Sequence, residues 1–320
     1  MKRFLLIIFV GVAVLTNAQQ FVQYSQYNNN KFIYNPAAAG ILGKMNVDFG
    51  YRNQWAGFEN APTSYFVSGQ YVLGEQNKRR FYVDHSIRVS NPDLFKYPDT
   101  TAYYRHVLGA YHIANNLFPT QTKSTFISYA YHFPVDEFQI SLGAAVGVKS
   151  LEFNANAIEL EQGNDELYTS ILGDGANNNY LDFDLGIMGY SSNFFAGYSV
   201  KSLGADALRF SKTAVSPDLV MHHYLTFGTK IEVKDYMYIQ PGLMVRTAKD
   251  TKSSVDINTT VYYKKLAFAG VSFRPGDAVV GMLGVYFNNH YKLSYSYDAG
   301  INNLRSVNSG SHEFMFGIRL

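Results

Sequence analysis

Between residues 45 and 73 the hydrophobic and polar positions alternate with a period of two. Met45, Val47, Phe49 and Tyr51 are separated by Asn46, Asp48 and Gly50, the pattern of a strand with one apolar and one polar face. Gly57 and Pro62 interrupt the chain, after which Tyr65, Val67, Gly69, Tyr71 and Leu73 alternate with Ser64, Phe66, Ser68, Gln70 and Val72. The two runs predict neighbouring antiparallel strands, greasy and aromatic on one face and mostly small or polar on the other. Strand-like runs recur at 101–113, 123–133, 137–150, 180–190, 193–202, 222–233, 236–247, 254–263, 265–274, 278–287, 290–298 and 311–320. Many have about ten residues, the length a tilted strand needs to cross a bilayer. In the last run Phe314, Phe316, Ile318 and Leu320 face one way, and Glu313, Met315, Gly317 and Arg319 the other. Lysine at Phe314 or Phe316 is therefore expected to impair insertion, and lysine at Met315 to be milder.

The start of the chain differs in kind. Lys2 and Arg3 precede an apolar run over 4–15 and then Thr16-Asn17-Ala18, which predicts a secretory signal peptide, residues 1–18, cleaved after Ala18. That run falls short of the roughly 20 apolar residues of a membrane anchor. No later run is long enough to cross as a helix, so a membrane-embedded mature chain has to be a closed barrel. Residues 19–44, opening on a stretch rich in Gln and Asn, are expected to form a periplasmic lead-in, and 45–320 the barrel.

Composition sharpens this. The chain holds 26 Tyr, 24 Phe and 26 Gly with one Trp, at a mean hydropathy of -0.13. A soluble enzyme has little use for so much aromatic surface, whereas a membrane barrel places aromatic girdles at both interfaces and hides its apolar band in every second residue. The absence of cysteine leaves no lipidation site at the N-terminus, no disulfide frame and no thiolate chemistry. Once Lys2 and Arg3 are removed the mature chain is formally neutral, with no Lys/Arg stripe for nucleic acid.

Strand parity decides one ambiguous run, 81–89. Bacterial single-chain barrels have an even number of strands, short periplasmic turns and longer external loops. With 81–89 left out, the tight connections at 134–136, 191–192, 234–235, 264 and 288–289 share the periplasmic side, and the long ones at 151–179 and 203–221 lie outside. The expected fold is thus an all-β transmembrane antiparallel barrel of outer-membrane type with about fourteen strands, carrying a periplasmic insertion at 74–100.

A family resemblance runs through the same stretches. Asn35-Pro36-Ala37 and Ala39-Gly40, then Tyr51-Arg52-Asn53-Gln54-Trp55-Ala56-Gly57-Phe58 and Ala61-Pro62-Thr63, resemble in order the N-terminal signature of the PorP/SprF family of type IX secretion system outer-membrane proteins. The likeness continues at Ser128-Tyr129-Ala130-Tyr131, Gly270-Val271-Ser272-Phe273-Arg274-Pro275-Gly276-Asp277-Ala278, Tyr295-Ser296-Tyr297-Asp298 and Ser309-Gly310-Ser311-His312-Glu313. It implies a non-enzymatic outer-membrane component of type IX protein secretion and gliding machinery, with no cofactor. Its partners would be the C-terminal signal domain of a secreted, adhesin-like cargo, the proteins of the machine with its periplasmic ring, and the bilayer. A passive or hydrophobic-solute channel is the alternative function for a barrel of this size. The terminal aromatic alternation also resembles the signal by which outer-membrane assembly recognises its clients, although it ends on Leu320 in place of an aromatic residue.

Candidate chemistry is sparse. His112, His132, His222, His223 and His290 are scattered, without ligand spacing for a metal, and Asp84-His85 has no partner assignable as a dyad. Residues 151–179 carry Glu152, Glu159, Glu161, Asp165, Glu166 and Asp174 and no basic residue, read as an acidic external loop, with a docking surface for a basic partner as the alternative; its Asp174-Gly175-Ala176-Asn177 does not match a calcium loop. Polar residues on inward faces matter more, since charge at membrane depth is tolerated only toward a polar interior. Asn46, Asp48 and Arg52 share such a face, and Arg274, Asp277 and Asp298 lie near strand ends. They are candidates for an interior charge network or a ligand-facing set. Gln54 and Trp55 are candidates for a partner surface or an interface anchor. Lys78, Arg79 and Arg80, with Phe81, Tyr82, Phe95 and Tyr97 following, are the candidate docking patch of the insertion.

Overall fold

The computed structural model describes residues 23–74, 104–136, 138–154, 177–204, 220–234, 236–264, 266–288 and 290–320. The strands, in chain order, are β1 Met45–Asn53, β2 Thr63–Leu73, β3 Arg105–Leu117, β4 Thr120–Val135, β5 Phe138–Phe153, β6 Asn177–Tyr190, β7 Phe194–Lys201, β8 in two segments His222–Thr229 and Ile231–Lys234, β9 Met237–Ala248, β10 Ser254–Tyr263, β11 Ala267–Arg274, β12 Ala278–Phe287, β13 Tyr291–Gly300 and β14 Ser311–Arg319. Both segments of β8 pair with β9, so they make one strand bent at Lys230. Each strand pairs antiparallel with the next, and β14 pairs with β1 over Asn46↔Arg319 to Asn53↔His312, which closes a fourteen-stranded barrel. Closure is what a sheet in lipid requires, since an open edge would leave backbone groups without partners.

The alternation read in the sequence sets the two faces. In β1 the side chains of Asn46, Asp48 and Arg52 are buried inside, while Phe49 and Tyr51 point out. In β14 Phe314 is 50% exposed on the outer face and Met315 2% on the inner. Aromatic contacts cross neighbouring strands on that outer surface, as between Phe49 and Phe316 and between Tyr291 and Phe316. The tight turns after β4, β6, β8, β10 and β12 all lie at one end of the barrel, called the inner end below. The connection 75–103 leaves and rejoins at that end, between the directly paired β2 and β3. It lies outside the described residues, as do 1–22, 155–176 and 205–219.

Two expectations change. The run placed at 101–113 begins at Arg105 and extends to Leu117, where it turns through Phe118-Pro119 into a β4 of 16 residues. At about 3.3 Å per residue such a strand is roughly 50 Å long, well beyond the bilayer. Above the membrane both faces meet water, so pairs such as Asn115↔Thr122 and Asn116↔Gln121 continue the ladder without apolar alternation. The second change concerns 19–44. Its described part, from Gln23 on, is not a lead-in beneath the barrel but runs through the interior in one-turn segments, Tyr27–Asn29, Lys31–Ile33 and Pro36–Ala38. Tyr24, Tyr27, Phe32, Ile33 and Tyr34 are buried against Phe66, Val107, Tyr111, Phe126, Tyr224 and Met244 of the wall. The physical reason is in the residues themselves: five large apolar or aromatic side chains among neutral amides bury surface inside a wall that needs hydrogen-bond partners.

Candidate functional site

The plug, residues 23–43, carries no acidic residue, so it brings hydrogen-bonding amides, phenols and one lysine, Lys31, to the wall. Wall charges answer one another. At the outer end the inward side chains of β1, β9, β10, β11, β13 and β14 set Arg52, Arg246 and Arg274 against Asp256, Asp298 and Glu313, three of each sign. Arg52 lies 2.8 Å from Asp298 and 3.4 Å from Glu313. Arg274 pairs with Asp298 and stands 3.8 Å from Asp256, which is 3.9 Å from Arg246. Ser25 sits at the centre. Its Oγ donates to Asp298 at 2.7 Å and accepts from Arg52 at 3.1 Å and from Arg274 at 3.2 Å. The backbone N–H groups of Ser25 and Gln26 donate to the two oxygens of Glu313 at 2.7 and 3.1 Å. Gln23 Oε1 accepts from Arg246 at 2.9 Å and from Arg274 at 3.1 Å.

Elsewhere on the inner wall the pattern repeats with lysines. Lys149 pairs with Asp182 at 3.0 Å, and Lys201 with Asp184 at 3.2 Å while donating to the carbonyl of Ile33 at 2.7 Å. Lys292 pairs with Asp48 at 3.0 Å and donates to the carbonyl of Asn29 at 3.3 Å. A buried charge is tolerable when paired and hydrogen-bonded, and here the plug backbone supplies part of the bonding.

The turn at Asn35-Pro36-Ala37 is seated by shape. Asn35 Oδ1 accepts from the Ala37 N–H at 2.9 Å, the capping bond of a one-turn helix, and its amide donates to the carbonyl of Ile187 at 3.1 Å. The wall beneath has glycine where it must. A Cβ on Gly186 would lie 2.0 Å from Asn35 Oδ1, and one on Gly143 2.2 Å from the Ala37 nitrogen. Below it His132 bonds the Ala39 carbonyl and the Tyr190 hydroxyl, each at 2.8 Å. Beside the plug, Tyr238, Tyr262, Phe268 and Tyr286 form a separate buried cluster near the inner end.

Of the residues singled out from the sequence, Arg52, Arg274 and Asp298 meet in the outer network, and Asp277 joins from its rim, 3.4 Å from Arg274. Gln54 and Trp55 do not. They lie on the β1–β2 connection, where the Trp55 N–H donates to Ser311 Oγ at 3.1 Å and the Ala56 N–H to the Gly310 carbonyl at 2.7 Å. Lys78, Arg79 and Arg80 fall outside the described residues. Sequence reasoning missed Ser25, Arg246, Asp256 and Glu313 as members. Glu313 was legible as inward by alternation, but Ser25 had no periodic signal, because the plug has no strand.

The model of a family described as type IX secretion system membrane protein PorP/SprF matches residues 16–318. A sequence comparison with curated proteins finds no match. Among solved structures, the CymD monoaromatic hydrocarbon channel superposes with a TM-score of 0.50 at 12% identity, covering 94% of this chain and 94% of that one. Omp33 of Acinetobacter baumannii gives 0.48 at 9%, covering 88% and 100%. The Pseudomonas putida toluene transporter TodX gives 0.43 at 10%, covering 90% and 91%. At such identity the likeness to CymD bears on the fold alone.

Proposed function

Because the chain belongs to the PorP/SprF family of type IX secretion system membrane proteins, we propose that its barrel is a closed, non-enzymatic docking scaffold of the outer membrane, not a conduit. The observation that carries this is the interior, filled by the chain's own residues 23–43 and tied to wall charges from β1 to β14. A passive or hydrophobic-solute channel needs a continuous lumen, and residues 23–43 lie in its path. The barrel's work then falls on its two ends. At the outer end it engages the C-terminal signal domain of a secreted, adhesin-like cargo. At the inner end the connection 75–103, with Lys78, Arg79, Arg80 and the aromatic residues after them, couples to the periplasmic parts of the machine, since Arg and aromatic side chains are favoured anchors at interfaces. Deleting residues 75–98 and joining β2 to β3 by a short turn tests this. The expected result is a heat-modifiable barrel that no longer co-purifies with periplasmic machine components and exports less cargo. Unchanged co-purification and export would remove the connection from that role.

A further inference from the structure

The plug has a direction. Gln23 is held by Arg246 near the end of β9, Ser254 at the start of β10 and Arg274 at the end of β11, all at the outer end. Ser25 and Gln26 are held by Arg52, Asp298 and Glu313 at the same level. The chain then passes Asn29, beside Lys292, turns back through Ile33 and Tyr34, held by Lys201 and Ser199 of β7, and goes down through Asn35, beside Ile187, to Ala39 on His132 and Gly40 on Gln70. It leaves at the inner end, where Met45 exchanges backbone hydrogen bonds with Leu320. Residues 23–43 thus cross the barrel from one mouth to the other.

From this we infer that the amino-terminal end of the mature chain is presented at the outer mouth of the barrel, on the cell surface, although the chain enters β1 from the periplasmic side. Residues before Gln23 start from the outer network. With cleavage after Ala18, four residues, 19–22, precede Gln23; they reach about 14 Å at most, while β10 alone, with 10 residues, is about 33 Å long, so such a short leader cannot return to the inner mouth. The outer network also bridges the seam that the β14–β1 ladder closes, because Arg52 of β1, with Ser25, reaches Asp298 of β13 and Glu313 of β14. The placement of the outer mouth on the cell surface rests on the docking-scaffold orientation above.

The absence of cysteine makes the test direct. Single variants Gln20→Cys, Val22→Cys, Glu59→Cys on the β1–β2 connection and Lys44→Cys at the inner end are treated with a membrane-impermeant maleimide on intact and on permeabilised cells. Each variant is first confirmed as a heat-modifiable barrel in the outer membrane. The expected result is labelling of Gln20→Cys or Val22→Cys together with Glu59→Cys in intact cells, and of Lys44→Cys after permeabilisation alone. Glu59→Cys labelled from outside, with both N-terminal variants labelled only after permeabilisation or only after denaturation, overturns the inference while leaving the orientation standing. Glu59→Cys itself labelled only after permeabilisation overturns the orientation, and with it the surface location.

Discussion

Asp298 accepts from Arg52, from Arg274 and from Ser25, and Glu313 takes the plug backbone. Removing one partner of a buried set costs more than removing a neutral bridge, because the remaining charge is stranded in a poor solvent. Asp298→Asn is expected to cost about 3–5 kcal/mol. Ser25→Ala, which removes hydrogen bonds to charged groups but no charge, is expected to cost about 1.5–3 kcal/mol. Urea midpoints of the barrel refolded in lipid vesicles measure both, and equal small losses would show that the network does not hold the plug. Gly143 gives a test by shape. A valine there meets the plug backbone at Pro36 and Ala37, so Gly143→Val is expected to dislodge the plug and make the N-terminal segment protease-sensitive while the barrel keeps its heat-modifiability. A plug that stays protected would mean the wall adjusts.

Strands carry the second lesson. Phe314→Lys puts an ammonium toward lipid near the middle of β14 and is expected to lower insertion yield, at a cost of about 2–4 kcal/mol. Met315→Lys was expected from alternation to be milder, but Met315 packs inside with Tyr24, Phe66 and the rest of the plug cluster. The two variants should fail differently: the first in insertion yield, the second in a correctly inserted barrel that leaks ions. Equal insertion losses would mean that lipid and interior faces are misassigned. The fourteen strands were legible because period-two alternation continues wherever one face meets lipid, from Phe49 in β1 to Phe314 in β14. It failed where that condition ends. The outer parts of β3 and β4, at Asn115, Asn116, Gln121 and Thr122, are ladder without apolar alternation. The plug escaped for a related cause. Its order comes from contacts with residues such as Glu313, 288 positions away from Ser25, and its sequence shows no period. Within the candidate site, Arg52, Arg274 and Asp298 could be picked out because charge on an inward face is costly unless used. That they meet one another, and through Ser25, needed the barrel to close.

For the molecule as a whole, closure separates the two ends of the barrel. Trypsin added to intact cells is expected to cut at Arg209 or Lys212, in the long connection after β7, and to spare Lys78, Arg79 and Arg80. Cleavage of the basic triplet from outside would reverse the barrel. Whether the interior is sealed is decided most directly by the current through single barrels. Purified full-length protein reconstituted in a planar bilayer is expected to hold the membrane at its bare leak level, while a variant lacking residues 23–41 opens steps of steady ionic current. A stable open conductance from the intact protein would contradict the sealed scaffold and return the barrel to the class of channels.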